Sequence, residues 1–306
     1  MMRDGKVWAV AGGKGGTGKT FFLYYLALQL TSLGKKTILV DADLGGPNLH
    51  SLLGIRSPAA TLTDFFDKKK PLQEIIQPTD TAGLFLIPGN LKSLNSEAIQ
   101  HSQKLKLFRQ IRALDADCIL LDLGAGTHAH TVDCFLFADR RIIVSAPEVS
   151  GLDNMYHFIK SVYFRKLNAL LKERDLKEIA KERWQNRKQY NINSLLDLIC
   201  SLRDVDLGAD SDIKNELAQT SIQLIMNQVR NRTQAQLGFS VKSVCTKLLG
   251  IRLMYSGFIH YDPEYWQLLR EKAPGNYFKV SQAFASVMAQ TTERLLHKKE
   301  LQLHDV

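Results

Sequence analysis

The chain has 306 residues, 45% of them hydrophobic, which suits one large α/β domain or a domain carrying an insertion; a single domain over 1–306 is expected. Forty Lys and Arg against 31 Asp and Glu give a formal charge of +9, which favours anionic partners such as nucleotides, nucleic acid or an acidic membrane surface without choosing among them. No apolar run approaches 18 residues and no signal-peptide pattern is present, so a cytoplasmic protein is expected, and the four scattered cysteines, Cys118, Cys134, Cys200 and Cys245, exclude a C-x-x-C zinc or iron–sulfur centre and are expected to be reduced and mostly buried.

The first element is an apolar run, Val7 to Ala11, which reads as a buried strand. It leads into Gly12-Gly13-Lys14-Gly15-Gly16-Thr17-Gly18-Lys19-Thr20, and a helical pattern opens at Phe21. This is the strand–loop–helix setting of a phosphate loop. The glycines at 13, 15, 16 and 18 let the backbone curl with its N–H groups toward an anion, and the helix that follows adds the positive end of its dipole. A polyphosphate is the natural guest, with Lys19 reaching its outer phosphates and the Thr20 hydroxyl a ligand for Mg²⁺.

Lys36 to Asp43 reads as a second buried strand ending in carboxylates, where ligands sit in parallel α/β sheets. Residues 59–78 read as short helical pieces broken by Pro71 and Pro78, Gly83 to Gly89 as a short strand, and Ser96 to Leu114 as a surface helix covering the sheet. Asp117 to Gly126 contains four apolar residues and then Asp122, a Walker B strand whose carboxylate holds the Mg²⁺ water shell. His128 and His130 lack a third metal ligand in sequence and read as polar residues of the following switch. Arg141 to Ser150 is a further buried strand and turn, Ser221 to Val229 another, and Val280 to Leu296 a closing helix.

Between Phe164 and Thr220 more than 50 residues separate a helix from the next strand, where a crossover needs about a dozen. Two or three helices inserted on the outside of the fold are expected there, over 164–220. Its early basic run, Lys160 to Lys188, is either a solvated helix face or a binding patch, and nonspecific DNA contact is one candidate use.

The wording of these motifs resembles one family. K-G-G-T-G-K-T at 14–20 is similar to the deviant Walker A loop of the MinD/ParA class of P-loop ATPases. Asp122-Leu123-Gly124-Ala125-Gly126 resembles the FlhG/FleN flagellar-number regulators within the MinD group, and the segments at 83–89 and 141–150 resemble MinD and those same relatives. The resemblance implies a mostly parallel twisted sheet with helices on both faces, ATP or ADP and Mg²⁺ as cofactors, slow partner-stimulated ATP hydrolysis and an ATP-dependent homodimer. It makes Lys14 a residue that reaches the partner subunit's phosphates, Asp43 the group that positions the attacking water, and Lys19 the in-subunit phosphate cation. Gly13, Gly15, Gly16, Thr17, Gly18, Lys19, Thr20 and Phe21 become the phosphate cradle. Thr20, Asp41 and Asp122 form the Mg²⁺ set, although Asp41 and Asp43 also fit as caps of the following helix. Asn227 and Asp262 are carried over to the base, and Pro147 to the nucleotide site.

Two family features depart. Only Met1 to Gly5 precede the first strand, which leaves no room for the activating segment of flagellar regulators. The end of the chain mixes Leu295, Leu296, Leu301 and Leu303 with Arg294, Lys298 and Lys299, a weak match to an amphipathic helix at a membrane surface. The competing reading is a nucleotide-binding scaffold with little turnover that docks an unknown protein partner through 164–220.

Overall fold

A computed structural model describes residues 6–43, 46–67, 70–89, 99–263 and 281–306. Expectations for Leu44, Gly45, residues 96–98, Pro274 and residue 280 fall outside this set. Eight strands form one sheet: β1 (Val7–Ala11), β2 (Thr37–Asp41), β3 (Gln77–Pro78), β4 (Leu84–Ile87), β5 (Cys118–Asp122), β6 (Arg140–Ser145), β7 (Ile222–Val229) and β8 (Leu253–His260). Their order is β3-β4-β2-β5-β1-β6-β7-β8, and every neighbouring pair is parallel except β3 with β4.

The strands are nearly continuous apolar runs because both faces are covered. Alternation sends Val7, Ala9 and Ala11 to one core and Trp8 and Val10 to the other, and β2 and β5 divide in the same way. The second core is closed by α1 (Lys19–Ser32) and by the last helix, α11 (Gln282–His297), with α2 (Leu49–Leu52) adding Leu49. The opposite face carries α3 (Leu62–Phe66), α4 (His101–Ala113), α5 (Ala129–Phe137), α6 (Val149–Glu173), α7 (Lys177–Gln185), α8 (Leu195–Ser201), α9 (Ala209–Gln219) and α10 (Arg232–Leu249). Leu107 and Ile111 seat α4 on that face, as its periodicity implies.

Three local expectations change. Pro78 does not break a helix; it lies in the two-residue outermost strand, where its missing N–H interrupts no ladder. The expected boundary at Phe164 falls inside α6, a helix of 25 residues that runs on because Leu167, Leu170 and Leu171 stay buried. The helices after it add Leu198, Ile199, Ile213 and Leu217 to the same core as the sheet, so this stretch packs as part of the fold.

The apolar residues near the end of the chain are also committed. Leu295 and Leu301 are buried, Leu296 packs on the second core, and only Leu303 of the four is well exposed. Arg140 donates to the carbonyls of Leu295 and Leu296, satisfying the end of α11, and Leu301 N donates to Tyr255 O at 2.7 Å. A membrane-binding helix built on these leucines would first have to leave the core. Among the described residues no helix is long and apolar enough to cross a membrane. Cys118, Cys134 and Cys245 are buried thiols, while Cys200 is exposed.

Candidate nucleotide site

The loop at 12–18 joins β1, which lies between β5 and β6, to α1. In open α/β sheets a reversal of strand order opens a crevice at the strands' C-terminal ends, and the loop sits there. Gly18 takes φ 83° and Gly16 φ 79°, left-handed values that set the turn into α1. Gly13 answers a different demand. A Cβ there would lie 1.9 Å from the carbonyl oxygen of Asn154, so the loop rests directly on the backbone of α6. The first turn of α1 holds no acidic residue and no side-chain cap, leaving its N–H groups to a guest anion.

Lys19 is buried and its Nζ donates to the Lys14 carbonyl at 3.2 Å. Burial pulls its pKa down, while the carboxylates of Asp122 and Asp43 push it back up. Asp41 and Asp122 stand in register at the ends of β2 and β5. Asp41 accepts from Leu49 N at 3.1 Å and Asp43 N at 3.3 Å, so it does cap the start of α2. Burial raises its carboxyl to about 7, against the help of those N–H groups.

Asp122 is raised to about 7 as well, first by burial and then by Asp41, with the Thr20 hydroxyl and Lys19 acting in the other direction. Its Oδ1 is buried with no hydrogen-bond partner. Leaving a buried acceptor unmet costs about 1–3 kcal/mol, more for a charged group. A cation beside Asp122 and Thr20 meets that lone pair and lowers the mutual repulsion of the carboxylates, so these residues fit Mg²⁺. Asp43 lies against Gly124, where a Cβ would come within 2.6 Å of Asp43 Oδ1. The glycine after the Walker B aspartate therefore makes room for the second carboxylate of β2's exit.

On the opposite side of the loop, Asn227 Nδ2 donates to Thr17 O at 2.9 Å and its Oδ1 accepts from Gln228 N at 2.9 Å. Asn227 thus braces the loop, a contact its sequence position did not announce. An open cleft beside it is lined by Pro147, Glu148, Gln228, Arg230 and Gln234. Asp262 follows β8 at this end of the sheet, next to Tyr261, whose ring lies 4.4 Å from the Arg230 guanidinium. Phe21 is placed otherwise than a cradle residue would be. Its ring packs on Tyr25 and Phe284, so only its backbone is left for a nucleotide.

Lys14 reaches across to α6, donating to Ser150 Oγ at 2.8 Å with Glu148 at 3.9 Å. His128 is exposed at the start of α5, and His130 packs on Cys134, held neutral by burial that pulls its pKa to about 4. Among the described residues no group of three or more His, Cys, Asp or Glu could hold a metal by itself. Sequence reasoning missed Ser150, Asn154, Gln228 and Arg230 as members of this site. The one available signal was that Gln228 adjoins Asn227 at a strand end.

A family model described as an AAA domain matches residues 5–173, more than half of the chain. The chain belongs to the MinD/ParA class of P-loop ATPases. Antiactivator FleN of Pseudomonas aeruginosa is 32% identical over 162 residues, 52% of this chain and 57% of FleN. The septum site-determining protein MinD of Escherichia coli K12 is 30% identical over 149 residues, 48% of this chain and 55% of MinD. These matches span just over half the length of each curated relative. Over nearly the whole chain the fold is shared with a chain of the Aquifex aeolicus MinC:MinD cell division protein complex, at TM-score 0.61 and 19% identity, covering 97% of this chain and 98% of that one. Apo McdA from Cyanothece gives TM-score 0.63 at 18% identity, covering 95% and 99%.

Proposed function

We propose that this protein is an Mg²⁺-dependent ATP switch that dimerises with ATP, hydrolyses it slowly to ADP and phosphate, and changes partner or surface affinity as it does so. The observation that carries the reading is the buried, unpartnered Oδ1 of Asp122 beside the Thr20 hydroxyl and Lys19. Most buried side-chain oxygens have a donor, and a carboxylate without one is suited to a cation.

In this reading Thr20 and Asp122 would hold Mg²⁺ and Asp41 would support its water shell, the ion supplying neutralisation of charge on the transferring phosphoryl group. Lys19 and the N–H groups of residues 13–20 hold the phosphates. Asp43 orients the attacking water, and Lys14 leaves Ser150 to act on the phosphates of a second subunit. Asn227 and Asp262 border the base, and Pro147 lines the nucleotide cleft beside them. Positioning and charge stabilisation are the whole of the catalysis, so turnover is slow until a partner completes the site. The kinship with FleN and MinD supports a role in positioning or counting a cellular structure. The helices of 164–220, with Val205 45% and Leu207 88% exposed, are suited to dock the protein partner.

The test is the solution mass with Mg²⁺-ADP and with a non-hydrolysable ATP analogue, together with ATP turnover, in the parent and in Lys14→Ala. The expected result is an ATP-dependent dimer that the variant cannot form while it still binds nucleotide. Normal dimerisation and turnover in Lys14→Ala would defeat the trans-lysine assignment. Nucleotide binding without any change of mass or turnover would leave a scaffold.

A further inference from the structure

The end of β7 breaks two rules at once. Gln228 has φ 61°, a left-handed conformation that is strained for a non-glycine residue with a long side chain. The β7–β8 ladder also slips between Met226 and Val229, which leaves residues 227 and 228 in an irregularity of the strand. In a regular strand consecutive side chains point to opposite faces. Here both reach the same loop: Asn227 Nδ2 donates to Thr17 O and Gln228 Nε2 donates to Gly16 O, each at 2.9 Å.

The two accepting carbonyls belong to successive peptide units. In a trans peptide the C=O and N–H point in opposite directions. Holding the Gly16 and Thr17 carbonyls toward β7 therefore turns the N–H groups of Thr17 and Gly18 away from β7. Only an NH₂ end can face a carbonyl oxygen, so the orientation of both amides is fixed by their partners. The fit leaves no slack at Gly18, where a Cβ would stand 2.2 Å from Asn227 Nδ2.

We infer that Gln228 is a positioning residue: from a strained bulge, with Asn227 beside it, it presets the peptide planes of the phosphate loop for a polyphosphate before the ligand arrives. This rests on the nucleotide-site reading and names a further part of it. Preorganised donors bind better because they lose less freedom on binding. Gln228 also lines the cleft with Pro147 and Glu148, so a direct contact to the base is the rival role, and a base-free ligand separates the two.

The experiment measures binding of Mg²⁺-tripolyphosphate and of Mg²⁺-ATP by calorimetry to the full chain, in the parent, Gln228→Asn and Gln228→Leu, with the melting temperature of each without ligand. Asn is at home in the left-handed region but one methylene too short to reach Gly16. We expect both variants to weaken tripolyphosphate and ATP by the same factor, roughly five- to tenfold for one hydrogen bond. Gln228→Asn should melt no lower than the parent, which a merely structural glutamine would not allow. Weaker ATP with unchanged tripolyphosphate would overturn the proposal in favour of a base contact. Unchanged affinity for both would overturn it outright. A parent that binds neither ligand would instead overturn the nucleotide-site reading on which it stands.

Discussion

Gly13→Ala is the sharpest perturbation of the site. Its Cβ would sit 1.9 Å from Asn154 O and 2.1 Å from Asn154 C, where ordinary contact begins near 3.4 Å. Both sides of the clash are backbone, so no rotamer change relieves it, and loop and α6 must separate by at least about 1 Å. Overpacking of this kind costs about 1–3 kcal/mol. At about 2.1 cal/mol/K per residue, a chain of 306 residues loses about 1.6 °C of melting temperature per kcal/mol, hence about 2–5 °C here. The functional loss should be larger, since misplacing a site by about 1 Å costs about a hundredfold. The control is Gly15→Ala, whose Cβ meets nothing within 4 Å and whose backbone is not left-handed; its unliganded melting temperature should equal the parent's. Thermal melts and ATP-analogue titrations on the three proteins decide the matter. A Gly13→Ala protein that melts and binds like the parent would show that the loop does not depend on its contact with α6.

Two further outcomes follow from the buried charges. The folded protein without ligand holds a proton on Asp122 up to about pH 7, whereas the unfolded chain releases it near 3.8, so stability from this group is full below about pH 4 and falls as pH rises to 7. Asp122→Asn removes that titration and should melt higher than the parent at pH 8, by about 2–4 kcal/mol, with the gap closing at pH 4 and reversing at pH 8 once Mg²⁺-ATP is added; a variant less stable than the parent at pH 8 without ligand contradicts the orphaned oxygen. Arg183, a nearly buried side chain that donates to Ser201 O and forks onto Asp204, should cost about 1–3 kcal/mol on change to Met, read as a denaturation midpoint, with nucleotide affinity unchanged; altered affinity would tie the outer helices to the site.

What the sequence made legible was what it writes locally. The phosphate loop and Asp122 each follow an apolar strand and precede a helix, and the sheet could be assembled from those runs. The rest of the site depends on contacts that no window contains. Lys14 meets Ser150 across 136 residues and Gln228 meets Gly16 across 212. The left-handed residue of the bulge is Gln228 and not the neighbouring Asn227, the one that propensity would choose, so no local pattern marks it. Pro78 misled for the converse reason. Proline is both a helix breaker and an edge-strand residue, and only the position of β3 in the sheet decides which.

The positive charge reads differently once the chain is folded. Over 164–220 there are eleven Lys and Arg and ten Asp and Glu, with the bases concentrated in the first half and the acids in the second. Folding brings the halves together: Lys166 meets Glu216, Arg174 reaches both Asp206 and Asp212, and Arg183 meets Asp204. The aromatic neighbours take more of the remainder, with Arg187 over Trp184 and Lys160 over Phe164. Nonspecific binding to nucleic acid draws on lysines and arginines free to replace counterions, and the bases paired with the second half are withdrawn from that use. Lys166, Arg174 and Arg183 thereby set how α6, α7, α8 and α9 sit on one another, while Lys172, Lys177, Lys181 and Lys188 stay exposed, as on a solvated helix face. A partner that docks on these helices would meet a surface of nearly balanced charge with Val205 and Leu207 exposed on it, and would be recognised by shape and apolar contact more than by its own charge.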